Sequence, residues 1–307
     1  MKNNMRLNNS KIKSGLVSFI GSPNVGKSTL LNALVGEKIS IVTHKAQTTQ
    51  KCIRGIVMHN DTQLILMDTP GIFSPSRFID NVMINSAFKS MNGADVICLI
   101  YNSCSKTIDQ NVKKIIKSLN GLKVQTCLIM NKIDLIEKKS LLTKVNDIFL
   151  QHKFDKVFMI SALKKHGLKD LVSWLANQMP HGPHLFDSNE ISDSPIRLMI
   201  SEILREKLII NTHQEIPYNL LVSTDSWKEN SDKSITIHQI IYVEKESHKK
   251  IIIGKSGKTI KNIGIVARKE MQTFLNTKVN LFLRVKVKHK CLNDPILFKS
   301  LGLDIND

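Results

Sequence analysis

Over its first 180 residues the chain alternates short apolar runs with stretches of helical period. Residues 16–20, 94–101, 124–130 and 157–160 are runs of strand length in which most positions are apolar, as in strands buried on both faces. Residues 51–58 and 62–67 flank the turn His59-Asn60-Asp61 and predict a hairpin. Helical patterns fall between these runs at 29–34 and 109–119, and a closing amphipathic helix at 167–178 carries Leu168, Leu171, Val172 and Leu175 on one face. Strands alternating with helices predict an α/β domain over 14–180, a mostly parallel sheet with helices on both faces. A polar extension, 1–13, precedes it. Residues 181–193, rich in turn formers and without periodicity, read as a linker. The pattern then changes. Ser194-Pro195 offers a cap and first position for a helix ending near Asn211. Strands follow at 218–223 and 234–243, joined by the polar segment 227–233. At 279–287, Val279, Leu281, Leu283, Val285 and Val287 alternate with polar residues, the signature of a half-buried strand. This predicts a second, α+β domain with a tail over 194–307.

Chemistry concentrates where the predicted strands end. Gly21-Ser22-Pro23-Asn24-Val25-Gly26-Lys27-Ser28 lies between the first strand and the first helix. In that context a glycine, four free positions and Gly-Lys-Ser form a phosphate loop, with backbone N–H groups turned onto a phosphate at a helix N-terminus. Gly21, Asn24, Val25, Gly26, Lys27, Ser28 and Thr29 are therefore candidate nucleotide contacts, Lys27 reaching the outer phosphates and Ser28 offering its hydroxyl to Mg²⁺. The polar, aperiodic run 43–50 can order around a ligand. A threonine there completes the Mg²⁺ shell in enzymes of this class. Thr49 is the candidate and Thr48 the alternative. The second hairpin strand delivers Asp68-Thr69-Pro70-Gly71, with Asp68 toward Mg²⁺ and the Gly71 N–H toward the terminal phosphate. Ile72 stands where GTPases of the Ras kind carry a water-orienting glutamine, so no side-chain base is expected, and either hydrolysis is slow or something else stabilises the transition-state charge. Asn131-Lys132-Ile133-Asp134 ends a further strand. A carboxylate at Asp134 accepts two hydrogen bonds that guanine donates and adenine does not. Ser161-Ala162 follows the last short strand, a turn whose N–H groups face the guanine oxygen in GTPases.

Composition narrows the class. The 307 residues suggest about two domains, and no apolar run approaches the ~18 residues of a membrane span. The polar start Met1-Lys2-Asn3-Asn4 lacks the apolar stretch of a signal peptide, and the expectation is a soluble, cytoplasmic protein. Cys52, Cys98, Cys104, Cys127 and Cys291 form no CxxC pair, which argues for a reducing compartment and against zinc. The net charge of +18 is uneven. Residues 181–244 carry 5 Lys and Arg against 10 Asp and Glu, whereas residues 245–290 carry 13 against 2. That basic block contains Gly254-Lys255-Ser256-Gly257, with Lys258 and Lys261 following. Two glycines around two small or basic residues, between helical flanks, form the GxxG loop with which KH domains clamp about four single-stranded nucleotides. Gly254, Lys255, Ser256, Gly257, Lys258 and Lys261 are the candidate RNA contacts. The sheet offers few aromatics for stacking, so backbone charge and apolar contact are expected to dominate.

Gly-x-Pro-Asn-Val-Gly-Lys-Ser, Gln-Thr-Thr, Asp-Thr-Pro-Gly, Asn-Lys-x-Asp and Ser-Ala, followed by the KH-like region, resemble the bacterial Era GTPase family from about residue 14 to the closing Ser300-Leu301-Gly302. The resemblance implies a P-loop GTPase domain followed by a KH domain of α-β-β-α-α-β order, with GTP and GDP as ligands. It implies, too, binding to single-stranded RNA near the 3′ end of small-subunit ribosomal RNA during ribosome assembly. Peripheral association with the membrane is part of what it implies, and the expected state is a monomer. Gln50 departs from the arginine usual in the family. Relatives with an apolar residue after Asp-Thr-Pro-Gly often use K⁺ held by a phosphate-loop asparagine, a position filled here by Asn24. Lys27, Asn24, Thr49 and Gly71 are thus the candidate catalytic residues, and Ser28, Thr49 and Asp68 the metal ligands. Two other classes stay open: a nucleotide-binding module without turnover, and a GTP switch acting on a protein or membrane partner.

Overall fold

The computed structural model describes residues 12–45, 48–213, 215–294 and 297–298, without the side chain of Lys138. Most of the polar extension, Gln47 of the Gln-Thr-Thr motif and Ser300-Leu301-Gly302 lie outside the described residues. The chain divides into two compact units. The first comprises the described residues up to Ser40 with 49–74 and 83–193, and the second 41–48, 75–82 and the described residues from Ser194.

The first unit is built on a six-stranded sheet of order β2-β3-β1-β4-β5-β6. Its strands are β1 (Lys13–Ile20), β2 (Ile53–His59), β3 (Thr62–Asp68), β4 (Val96–Asn102), β5 (Gln125–Asn131) and β6 (Lys156–Met159). All pairs are parallel except β2 with β3, the expected hairpin. The helices are α1 (Lys27–Val35), α2 (Phe78–Asn92), which belongs to this unit from Met83 on, α3 (Gln110–Leu119), α4 (Lys138–Phe149) and α5 (Leu168–Gln178). Apolar residues of α2, α3 and α4 share one core with Ile97, Leu99, Tyr101, Leu128 and Met130. The alternate positions Val96, Cys98, Ile100, Cys127 and Ile129 are buried as well, which is why these strands read as unbroken apolar runs. Each fully buried Leu or Ile contributes roughly 1.5–3 kcal/mol. Asp109 caps α3 by accepting from the Val112 N–H at 2.8 Å. The consequence for function is positional: the ends of β1, β3 and β5 bring the phosphate loop, Asp68 and Asn131 to the same edge of the sheet.

Residues 181–193 differ from a free linker. Ile56 N–H donates to Ile191 O at 2.9 Å, and Gly55 bridges Ser192, so the segment runs along the otherwise open edge of β2. The buried Gln63 amide accepts from the N–H groups of Leu185 (2.8 Å) and Phe186 (3.0 Å) and donates to Phe186 O at 2.8 Å.

The second unit runs α6 (Ile196–Asn211), β7 (Leu220–Glu229), β8 (Ile235–Val243), α7 (Glu246–Ile253), α8 (Lys258–Leu275) and β9 (Val279–Val287), the α-β-β-α-α-β order of a KH domain. Its sheet, β7-β8-β9, pairs β7 with β8 antiparallel and β8 with β9 parallel. One face packs Ile237, Ile241 and Val243 against Leu204 and Leu208 of α6, Ile252 of α7 and Ile263, Ala267 and Met271 of α8. Two local expectations shift. Pro195, not Ser194, occupies the cap position of α6, with no side-chain cap bond. Strand β7 continues through Trp227 to Glu229 beyond a bulge at 224–226, because Trp227 packs on the core while its polar neighbours face outward.

Candidate functional site

The phosphate loop begins where β1 stops at Ile20, and α1 starts at Lys27 from a left-handed Gly26 (φ 100°). Lys27 is buried and curls back, its Nζ donating to Gly21 O (3.2 Å) and Ser22 O (3.0 Å). Burial brings its pKa down to about 8, against the opposing pull of the Asp68 charge. Beside it, Ser28 Oγ donates to Asp68 Oδ2 at 2.6 Å and lies 2.9 Å from Thr49 Oγ1. Burial pushes the Asp68 carboxyl up, while Lys27, Ser28, Ser40 and Thr49 pull it down. Asp68 Oδ1 is buried without a hydrogen-bond partner. Two hydroxyls and an unsatisfied carboxylate oxygen form a set of hard oxygen donors, and these residues fit Mg²⁺. Thr48 is not part of it. Its hydroxyl pairs with Thr43 Oγ1 (2.7 Å) and donates to Lys45 O (2.8 Å).

Gly71 lies against the loop so closely that a Cβ there would sit 2.8 Å from the Pro23 nitrogen, which leaves no room for a side chain. Ile72 donates its N–H to Gly21 O at 3.1 Å, and its side chain is buried in the apolar core with Ile20. A side chain committed to the core has no means of orienting water.

Asn131 ties the base-side motifs together. Its Nδ2 donates to Val25 O (2.9 Å), and its Oδ1 accepts from the N–H groups of Lys132 (2.8 Å) and Ala162 (3.0 Å). Lys132, left-handed at φ 66°, donates from Nζ to Asn24 O at 2.7 Å. Asp134 stands exposed in the short turn Ile133–Leu135. Ser161 is buried, exchanging backbone hydrogen bonds with His166 at 3.2 and 3.0 Å. The Ala162 N–H donates to Asn131, the acceptor at the strand end that anchors this turn.

Three contributors escaped the sequence reading. Ser40 Oγ donates to Asp68 Oδ2 at 2.8 Å. Asn32 holds Ser40 in place, accepting from its N–H at 2.9 Å and donating to its carbonyl at 2.7 Å. Asp109 also accepts from Ser22 Oγ, at 3.3 Å. No motif marks them, since only tertiary placement makes them neighbours.

In the second unit α7 ends at Ile253 and the chain turns through Gly254 (φ 72°, ψ 175°), Ser256 (φ 52°) and Gly257 (φ 74°) into α8. A Cβ on Gly254 would fall 2.1 Å from Thr259 Oγ1, whereas one on Gly257 would meet nothing within 4 Å. One glycine is required by packing; the other fronts open space. Lys255, Lys258 and Lys261 are exposed around it, at the positive N-terminal end of an 18-residue helix. Among the described residues no helix is long and apolar enough to cross a membrane.

Residues 16–132 match the family described as 50S ribosome-binding GTPase, and residues 215–292 match the KH domain family. GTPase Era of Bradyrhizobium diazoefficiens is 44% identical over 293 residues, spanning 95% of this chain and 94% of that protein. GTPase Era of Brucella suis is 44% identical over 295 residues, spanning 95% and 94%. The crystal structure of Era in complex with MgGDPNP and nucleotides 1506–1542 of 16S ribosomal RNA matches with a TM-score of 0.91 at 34% identity, over 96% of this chain and 100% of that one. An Aquifex aeolicus Era variant bound to GDP and AlF₄⁻ matches with the same score, identity and coverage.

Proposed function

The chain belongs to the Era family of GTPases, and from that premise we propose that it binds GTP, hydrolyses it slowly with Mg²⁺, and grips single-stranded RNA near the 3′ end of small-subunit ribosomal RNA as an assembly factor for that subunit. The observation that carries the catalytic half is the Ser28, Thr49 and Asp68 cluster with its unsatisfied Asp68 Oδ1. The RNA half draws on the Gly254–Gly257 turn and on the Era relative crystallised with 16S nucleotides.

In this reading the loop N–H groups from Gly21 to Thr29 cradle the phosphates, and the Lys27 ammonium, its charged form favoured further by a phosphate beside it, holds the outer ones. Ser28, Thr49 and Asp68 would hold Mg²⁺, which would supply neutralisation of the phosphate charge. The Gly71 N–H meets the γ-phosphate, water attacks it, and Ile72 offers nothing to orient that water. Asn131, Lys132, Asp134, Ser161 and Ala162 form the base side, with Asp134 accepting from guanine. Asn24 would hold K⁺, which would supply further positive charge at the phosphates. The same proposal makes the protein a cytoplasmic monomer whose membrane contact is peripheral. Phosphate release from GTP and ATP with and without Mg²⁺, together with affinity for a 3′-end ribosomal oligonucleotide and a scrambled one, tests the whole. Mg²⁺-dependent, GTP-specific release and preference for the true strand are expected. Loss of either preference refutes the corresponding half.

A further inference from the structure

The register of β8 against β9 sets His238 beside Phe282. Their rings stack with centroids 4.8 Å apart and planes 13° from parallel. Their neighbours in sequence, Ile237, Leu281 and Leu283, pack toward the helices, so this pair stands on the opposite face of the sheet. Phe282 is 54% exposed, unusual for an aromatic side chain of its size. β9 is the edge strand, so among the described residues no strand lies beyond the far side of the Phe282 ring. Lys228, Arg284 and Lys286 are exposed and share this face by register, against Asp225 at the β7 bulge.

We propose that this outer sheet face is a second RNA-contact surface, on which one unpaired base stacks on Phe282 while Lys228, Arg284 and Lys286 meet the adjoining phosphates. The proposal rests on the RNA-binding reading above and adds a site separate from the Gly254–Gly257 turn. On this face the pair's register neighbours are Ser226, Thr236, Asn280, Arg284 and the buried Ile240, so Phe282 is the exposed large apolar side chain among them. That suits a base and falls well short of the apolar centre of a protein interface. Three cations around one open aromatic face match a strand that alternates bases with phosphates.

The test uses the full chain and two single-stranded RNAs from the 3′ end of small-subunit ribosomal RNA, one of about four nucleotides, the length a GxxG loop grips, and one of about 20. Phe282→Ala is expected to weaken the long strand by about tenfold and leave the short one within about twofold. Phe282→Tyr, which keeps the ring, is expected to bind like the parent. The salt dependence should stay the same in Phe282→Ala, because no phosphate contact is lost. Long-strand binding by Phe282→Ala within about twofold of the parent overturns the platform while leaving the RNA reading intact. Equal losses for Tyr and Ala overturn it too, since packing rather than stacking would then be at work. Failure of the parent to prefer either RNA over a scrambled strand overturns the RNA reading, and the platform with it. Phe282 is exposed, so thermal melting is expected to match the parent in both variants.

Discussion

In the first unit most side chains assigned to a nucleotide are buried and bonded to one another, whereas in the second those assigned to RNA stand in solvent. Lys27, Asp68 and Asn131 are buried, and Asp68 and Asn131 each hold several partners. Lys255, Lys258 and Lys261 are exposed around a turn whose second glycine faces open space. A buried polar group that loses its partner carries the full desolvation penalty, while an exposed cation loses only a screened attraction. The first site should therefore respond to single changes in an all-or-none way. The second should respond by degrees, and with salt.

Asp134 is the sharpest probe of that contrast, because it is exposed until a base covers it. Losing two charge-assisted bonds of roughly 1.5–3 kcal/mol each, Asp134→Asn should weaken GTP by about 10²–10⁴-fold and gain affinity for xanthosine triphosphate. Titrating both nucleotides checks it, and an unchanged preference for GTP removes Asp134 from the base site. Asp68→Asn should lower Mg²⁺-dependent turnover by about 10²–10³-fold, measured in single turnover, with nucleotide-free RNA affinity unchanged. A loss of only a few fold would mean that the buried cluster is structural. Ile72→Ala, which empties a core position, should cost less than about tenfold in turnover, and Asn24→Ala should abolish any difference between KCl and NaCl at equal ionic strength. Equal rates for the parent in the two salts would refute the K⁺ role. The smallest effect is on the second unit: Lys286→Ala should lower the slope of log affinity against log salt by about 0.7, one phosphate contact on a single strand.

The same contrast decides what could be read from the chain. Phosphate-loop geometry demands glycine and lysine at fixed offsets after a strand, and strands buried on both faces announce themselves as apolar runs, so the fold class and the motifs were legible. Ser40 was not, because nothing local marks a serine that a helix-borne Asn32 will hand to Asp68. Nor was the course of 181–193, since its bonds to β2 run through backbone groups that every residue shares. Polarity concealed the end of β7, whose outward residues imitate a loop. His238 and Phe282 lie far apart in sequence and become a stacked pair only through the parallel register, so the sheet looked poorer in aromatics than it is.

The separation of a nucleotide site from an RNA site within one chain is tested most directly by Gly257→Asp. At φ 74° the substitution places a side chain and a negative charge in the open space fronting the turn. Affinity for the 3′-end ribosomal oligonucleotide and RNA-free GTP turnover are measured on the same preparation. The account predicts at least about a tenfold loss of the oligonucleotide with turnover equal to the parent. Parental affinity for the oligonucleotide, or loss of RNA-free turnover along with it, would contradict the account.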